Sequence, residues 1–171
     1  AEEFGDSIAL ILDGGPSRHG IESTIVDFSS GDPVVLRPGS ITSGDLARVL
    51  GAAPRSAGAG AARAPGTLAS HYAPHTPAKL LPREELLAAL ADLGGPGGHI
   101  SVLAHSVAQP PEFEGTWFDA PVESARYAQQ LYANLRALDA READEIWIEA
   151  PPDGPDWVAI GDRLRRATHR D

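Results

Sequence analysis

The feature that most constrains this sequence is a central stretch that cannot build a hydrophobic core. Residues 52–64 consist almost entirely of Ala, Gly, Pro, Ser and Arg, a composition typical of flexible linkers. A chain of 171 residues is long enough for one domain or two small ones. We therefore predict a first region over residues 1–54 that is only part of a domain, a linker over residues 55–77 and a second domain over residues 78–171.

The second half of this linker differs from the first because it carries side chains that can dock. Pro65, Pro74 and Pro77 exclude a regular helix and disfavour a central strand. Leu68 and Tyr72 provide apolar and aromatic surface between them. We expect an extended segment that lies on the surface of a neighbouring unit.

The region after the linker alternates between strand-like and helix-like patterns. Short apolar runs predict strands, and leucines spaced three or four apart predict helices. The predicted strands are 78–81, 100–104, 113–118 and 146–149, and the predicted helices are 83–93, 122–140 and 156–168. Such alternation indicates a small Rossmann-like α/β domain with a mainly parallel sheet.

The region before the linker is predicted to hold three strands and one short helix. The strands are residues 8–12, expected to be buried, and residues 24–28 and 34–37. Thr42 is a suitable N-cap for a helix that ends at Leu50, with Gly51 as the C-terminal stop.

Charge and composition exclude several classes of protein. The net charge of −10 disfavours binding along a nucleic-acid backbone. Cysteine is absent, so disulfides and thiolate chemistry are excluded, and no apolar run of about 18 residues could span a membrane. Residues 55–77 contain two arginines and no acidic residue, so this segment either faces an anionic ligand or lacks acids by chance.

Three positions before the linker are candidates for substrate contacts. Residues 15–20 have the glycine spacing of a phosphate-binding loop, but Ile21 and Glu22 replace its Lys-Ser/Thr, which excludes a P-loop. The hydroxyl of Ser23 could hold a polar substrate, or it could cap the turn. Arg37, at a strand end before Pro-Gly, suits bidentate phosphate binding, or it could be a surface arginine paired with a carboxylate.

The linker itself offers one further candidate and one rejected site. Tyr72 could stack on a base or cover a pocket, or it could only dock the linker. His71 and His75 are four residues apart, but Pro74 prevents the helix that would align them, and no third ligand has suitable spacing. We therefore predict no metal site, and no residue is assigned as catalytic.

Several motifs in a fixed order carry a resemblance to a known family. They are residues 11–17 (ILDGGPS), 20–27 (GIESTIVD), 35–39 (VLRPG), 64–74 (APGTLASHYAP), 127–138 and 159–165. Together they resemble the C-terminal part of a threonylcarbamoyl-AMP synthase in its long two-domain form. The resemblance implies the tail of a YrdC-like α/β domain, an extended linker and a Rossmann-like domain.

The resemblance also implies an activity and its ligands. L-Threonine, bicarbonate and ATP would form threonylcarbamoyl-AMP and pyrophosphate, with magnesium accompanying ATP and no tightly bound cofactor. Ser23 would contact threonine, Arg37 would contact the ATP phosphates, and Tyr72 would close the nucleotide pocket. A downstream tRNA threonylcarbamoyl transferase complex would use the product in the cytoplasm, without direct nucleic-acid binding or membrane attachment by this chain.

One departure from the family leaves a second hypothesis open. The family's longer N-terminal part, with a basic motif that holds most of the ATP, has no counterpart in this sequence. We therefore expect this chain alone to lack synthase activity. The alternative is a non-catalytic module in which residues 78–171 bind a nucleotide or regulate a partner.

Overall fold

Two β-sheets organise the chain, and residues 55–56, at the start of the predicted linker, are paired into the first of them. The structure is a computed structural model that describes residues 5–58, 60, 62, 64–66 and 72–169. The strands are β1 (Ile25–Asp27), β2 (Val34–Arg37), β3 (Arg55–Ser56), β4 (Ala78–Leu81), β5 (Ile100–Ala104), β6 (Thr116–Asp119) and β7 (Glu145–Glu149). The helices are α1 (Ser43–Leu50), α2 (Arg83–Ala91), α3 (Ser124–Asp139) and α4 (Val158–Thr168), with short 3-10 turns at Gly5–Ser7 and Pro155–Trp157.

The first sheet has three strands in the order β1-β2-β3. Strands β1 and β2 are antiparallel, and β3 pairs in parallel with β2. Helix α1 follows β2, and its start is fixed by a capping box between Thr42 and Asp45. Gly51 ends this helix in the left-handed conformation, at φ 79°. The predicted helix therefore has its predicted start and stop.

The second sheet has four parallel strands in the order β4-β7-β5-β6. One face packs on α3 and α4 through residues that include Leu131, Ile148 and Leu164. The other face packs on α2 through residues that include Leu86 and Trp147. Helices on both faces bury the strands, as is usual for a parallel sheet. The four parallel strands confirm the predicted mainly parallel α/β fold.

One predicted element is wrong. Residues 8–12 form no strand, and Leu10 and Leu12 are 73% and 87% exposed. A strand needs a neighbour that supplies backbone hydrogen bonds and an apolar surface, and the described residues place no strand beside this run. The apolar run by itself did not reveal whether such a neighbour is present.

The first region rests directly on the second. Gly20 lies against α3 so closely that a Cβ on it would be 2.2 Å from the Gln129 Cα. Gln129 Nε2 also donates to the Ser17 carbonyl at 3.2 Å, and Ile21 packs on the core beneath α3 and α4. The glycine loop is thus part of the contact between the two regions. Among the described residues, no helix is long and apolar enough to cross a bilayer.

Candidate functional site

The β1–β2 hairpin brings Ser23 and Arg37 together. Ser23 precedes β1 by two residues, and Arg37 ends β2 opposite Ile25. The Arg37 Nε donates to the Ser23 carbonyl at 3.1 Å, and Nη2 lies 3.5 Å from Ser23 Oγ. Antiparallel pairing therefore fixes the spacing of the two predicted contact residues.

Arg37 also joins the hairpin to the linker. Its Nη1 donates to the Pro65 carbonyl at 2.8 Å, and the residue is only 8% exposed. Its described partners are thus two carbonyls and a hydroxyl, instead of the carboxylate of the alternative interpretation. The next residue, Gly66, has φ +77°, and a Cβ there would be 3.1 Å from Arg37 Nη1 and 3.3 Å from the Tyr72 hydroxyl. The linker tyrosine and the buried arginine therefore border the same glycine.

Glu22 is the centre of the hydrogen bonds at this site. The Tyr132 hydroxyl donates to its two carboxylate oxygens at 3.1 and 2.9 Å, and Arg163 Nε donates at 2.7 Å. Tyr72 forms a further side-chain hydrogen bond with it. Burial raises the pKa of Glu22, but these donors outweigh burial and lower its pKa from 4.5 to about 2. Glu22 is therefore ionised at neutral pH.

Arg163 reaches this site from the last helix. Its side chain is fully buried, and its three donor groups bond Glu22, the Asp162 carboxylate at 2.7 Å and the Pro38 carbonyl at 3.0 Å. Pro38 follows Arg37 directly, and Glu22 precedes Ser23. One buried guanidinium therefore holds the chain next to both candidate contact residues.

Tyr72, in the linker, packs against α3. Its ring is 4.8 Å from that of Tyr132, and its φ of 62° is an uncommon backbone conformation for a side chain of this size. Burial and the hydrogen bond to Glu22 raise the pKa of its hydroxyl. A cavity of about 510 Å³ lies beside it, bordered also by Pro74 and Asp139.

The end of the linker is fastened to α3 by a carboxylate. The backbone N–H groups of His75 and Thr76 donate to the two oxygens of Asp139, at 3.0 and 2.8 Å. Burial raises the pKa of Asp139, and these two donors lower it by more, so the net shift is downward. The segment after Tyr72 is thus held in place at the end of α3.

The three predicted site residues lie in one region, around Glu22 and Gly66. Their roles as ligand contacts stay predictions. The rejected two-histidine metal site includes His71, which lies outside the described residues. Sequence reasoning missed Glu22, Tyr132 and Arg163, because their partners are distant along the chain. Arg163 was also overlooked because basic residues near the end of a helix are expected simply to stabilise the helix dipole.

Comparisons with known proteins identify the family. Residues 41–168 match the family model for the C-terminal domain of threonylcarbamoyl-AMP synthase. The chain belongs to the threonylcarbamoyl-AMP synthase family. Residues 1–39 match a second family model, described as telomere recombination.

Relatives in this synthase family align with nearly the whole chain. Threonylcarbamoyl-AMP synthases of Pyrococcus abyssi and Bacillus subtilis are 31% and 30% identical to it, over 98% of this chain and 52% and 51% of their own lengths. The chain thus spans about half the length of the curated relatives it matches.

Solved structures of the P. abyssi synthase share the fold. The complex of P. abyssi Sua5 with L-threonine superposes with a TM-score of 0.77 at 27% identity, over 98% of this chain and 51% of that one. A variant of the same protein, with neighbouring histidine and tyrosine residues changed to alanine, superposes with a TM-score of 0.72 at 26% identity, over 91% of this chain and 47% of that one.

Proposed function

We propose that this chain is part of an L-threonylcarbamoyladenylate synthase, which converts L-threonine, bicarbonate and ATP into threonylcarbamoyl-AMP and pyrophosphate. The observation that carries the proposal is the grouping of Ser23, Arg37 and Tyr72 around Glu22 and Gly66. It is supported by the likeness of the fold to a synthase that has been solved with L-threonine.

In this reaction the protein mainly has to position the reactants and stabilise the charge that develops. The threonine amine and bicarbonate first form a carbamate with loss of water. The carbamate carboxylate then attacks the α-phosphorus of ATP, the bond to the β-phosphate oxygen breaks, and pyrophosphate leaves. No covalent bond to the protein is needed, in keeping with a site that has no assigned nucleophile. Holding the reactants in line can supply about 7–11 kcal/mol of the barrier reduction.

Ser23 and Arg37 would hold the two reactants side by side. Ser23 is an exposed residue, and its hydroxyl would hydrogen-bond threonine. The Arg37 guanidinium would face the phosphates, where its charge stabilises the negative charge that develops on the leaving group. Because Arg37 is bonded to the Ser23 carbonyl, movement of either contact would disturb the other.

Tyr72 would close the nucleotide pocket from the linker. Its hydrogen bond to ionised Glu22 and its contact with the Tyr132 ring hold it near Arg37. In this position a tyrosine ring can cover a bound nucleotide and exclude water. The adjoining cavity, about 510 Å³, leaves space for the ring to move.

The remaining ligands and partners follow from the same proposal. Magnesium would enter with ATP as part of the substrate. The product would pass to a tRNA threonylcarbamoyl transferase complex, in the cytoplasm where ATP and tRNA are available. This chain would not itself bind the tRNA, in keeping with its net charge of −10.

The direct test is release of pyrophosphate from ATP that requires both threonine and bicarbonate. We expect this activity from the protein encoded by the complete reading frame that contains this chain, and none from the 171-residue chain alone. Omission of threonine is the matched control. If the complete protein released pyrophosphate at the same rate without threonine, the proposed function would be overturned. Threonine-dependent release by the 171-residue chain would overturn its expected inactivity.

A further inference from the structure

Asp139 places a negative charge at the end of a helix that disfavours one. It is the last residue of α3, and the C-terminal end of a helix carries partial negative charge, which favours basic side chains and disfavours acidic ones. The pKa of its carboxyl is nevertheless lowered, because burial raises the pKa and the hydrogen bonds from His75 and Thr76 lower it by more. The linker, and not the helix, therefore accounts for an ionised carboxylate at this position.

Both oxygens of Asp139 hold the backbone of the linker. Oδ2 accepts the N–H of His75 at 3.0 Å, and Oδ1 accepts that of Thr76 at 2.8 Å. Two bonds to one planar carboxylate fix the direction of these peptide units as well as their position. The chain directly after them is also fixed, because the Pro77 carbonyl accepts the Ile146 N–H at 2.7 Å and the next residue starts β4. Residues 75–77 are therefore a fixed point of the linker.

Tyr72 is only three residues before this fixed point. Three steps of about 3.8 Å between consecutive Cα atoms keep its Cα within about 11 Å of that of His75. Pro74, between them, has a locked φ and leaves the connecting backbone few conformations. Tyr72 itself has the uncommon φ of 62°, and a backbone conformation of this kind persists only where the surroundings determine it. The hydrogen bonds of Asp139 are one such determinant.

The segment between Tyr72 and Asp139 runs beside open space. The cavity of about 510 Å³ borders both of these residues and Pro74. At the other end of the segment, the Tyr72 side chain is hydrogen-bonded to Glu22 and its ring contacts that of Tyr132. Because the cavity leaves room for other positions, the contacts at the two ends of the segment decide where the Tyr72 ring lies.

We propose that Asp139 is a positioning residue of the synthase, which holds residues 75 and 76 so that the Tyr72 ring meets the nucleotide beside Arg37. The inference rests on the proposed function, and it gives the second domain a part in the reaction because Asp139 belongs to α3. Asp139 acts through the linker backbone and not by contact with a reactant. A contact that is held in place before binding lowers the conformational cost of binding, so loss of the Asp139 carboxylate should weaken the binding of ATP.

The test measures threonine-dependent release of pyrophosphate by the protein encoded by the complete reading frame. Asp139→Ala should raise the KM for ATP about fivefold and leave the KM for threonine within about twofold, since Tyr72 serves the nucleotide and Ser23 the threonine. A merely structural role would lower the amount of active enzyme, and thus kcat, with both KM values unchanged. Asp144→Ala is the matched control, because it removes an exposed carboxylate five positions along the chain, and it should change neither KM.

Two further variants make the test sharper. If Asp139 acts through Tyr72, Asp139→Ala should add nothing to the ATP KM of Tyr72→Ala, a non-additivity typical of coupled residues. Effects of the two substitutions that multiply would overturn the proposal. Asp139→Asn keeps the size of the side chain and one acceptor oxygen, so it tests the proposal even where the alanine variant does not fold. Its ATP KM should rise about twofold to threefold.

The two proposals fail in different measurements. If the unmodified complete protein released no pyrophosphate in response to threonine, the proposed function would be overturned and the role of Asp139 with it. If that protein is active but neither Asp139→Ala nor Asp139→Asn changes the KM for ATP, only the role of Asp139 is overturned. Equal rises in the KM values for ATP and threonine would have the same meaning, because they would show a general disturbance of the site.

Discussion

Arg163 in the last helix donates through Nε to the Glu22 carboxylate at 2.7 Å, across 141 positions of the chain. This contact, buried on the Arg163 side, joins the last helix to the segment before β1 at the point where the candidate substrate residues are held. Removing one partner of a buried ion pair leaves the other charge uncompensated, which is far more costly than losing a surface pair.

Arg163→Gln should therefore destabilise the chain strongly. We expect a loss of about 3 kcal/mol in the free energy of unfolding, measured by urea denaturation. Arg165→Gln is the matched control, because that arginine lies two positions along the same helix and is exposed; it should change stability by less than about 0.5 kcal/mol. Equal effects of the two substitutions would show that the buried Arg163 guanidinium and its bonds contribute no stability.

The lowered pKa of Glu22 predicts a specific dependence of stability on pH. Its folded-state pKa of about 2 is below the ordinary 4.5, so ionised Glu22 stabilises the folded chain above pH 4.5. This contribution, about 2 kcal/mol after allowance for partial exposure, is lost as the pH falls towards 2. The stability difference between the unmodified chain and Glu22→Gln should therefore shrink between pH 5 and pH 2. A difference that stays constant over this range would contradict the lowered pKa.

Gly20→Ala should disrupt the contact between the glycine loop and α3. Gly20 has φ +68°, and an added Cβ would lie 2.2 Å from the Gln129 Cα, a backbone atom that cannot turn aside. We expect a loss of about 2 kcal/mol or more in thermal or urea unfolding. Gly14→Ala is the control, because nothing lies within 4 Å of its Cβ position. Similar stabilities of the two variants would mean that the loop is not held against α3.

Tyr72 distinguishes the synthase from a non-catalytic module. In the protein from the complete reading frame, Tyr72→Ala should weaken nucleotide binding about tenfold, since aromatic stacking on a base contributes about 1–3 kcal/mol. Tyr72→Phe, which keeps the ring and loses only the hydroxyl bonded to Glu22, should have a smaller effect. Calorimetric titration with a non-hydrolysable ATP analogue measures both. An unchanged affinity in Tyr72→Ala would favour the module hypothesis.

Local sequence signals determined most of the secondary structure. Thr42 and Gly51 predicted the two ends of α1 because capping depends on residues within one turn of the helix. Strand β2 has the predicted bounds, and the alternation after residue 78 predicted a parallel α/β sheet because each period reflects one buried face. The run at residues 8–12 misled the prediction, since apolarity alone does not reveal whether a neighbouring strand is present.

Only the tertiary structure decided how the candidate site is assembled. Ser23, Arg37 and Tyr72 could be selected from their residue types and motifs, whereas Glu22 and Arg163 carry no local signal that they are partners. An ion pair between residues 141 positions apart depends on the packing of α4 against the segment that leads into β1. Likewise, the contact of Asp139 with the end of the linker, across 63 and 64 positions of the chain, follows from how the linker packs on α3. The sequence determined which groups are available, and long-range packing determined which of them meet.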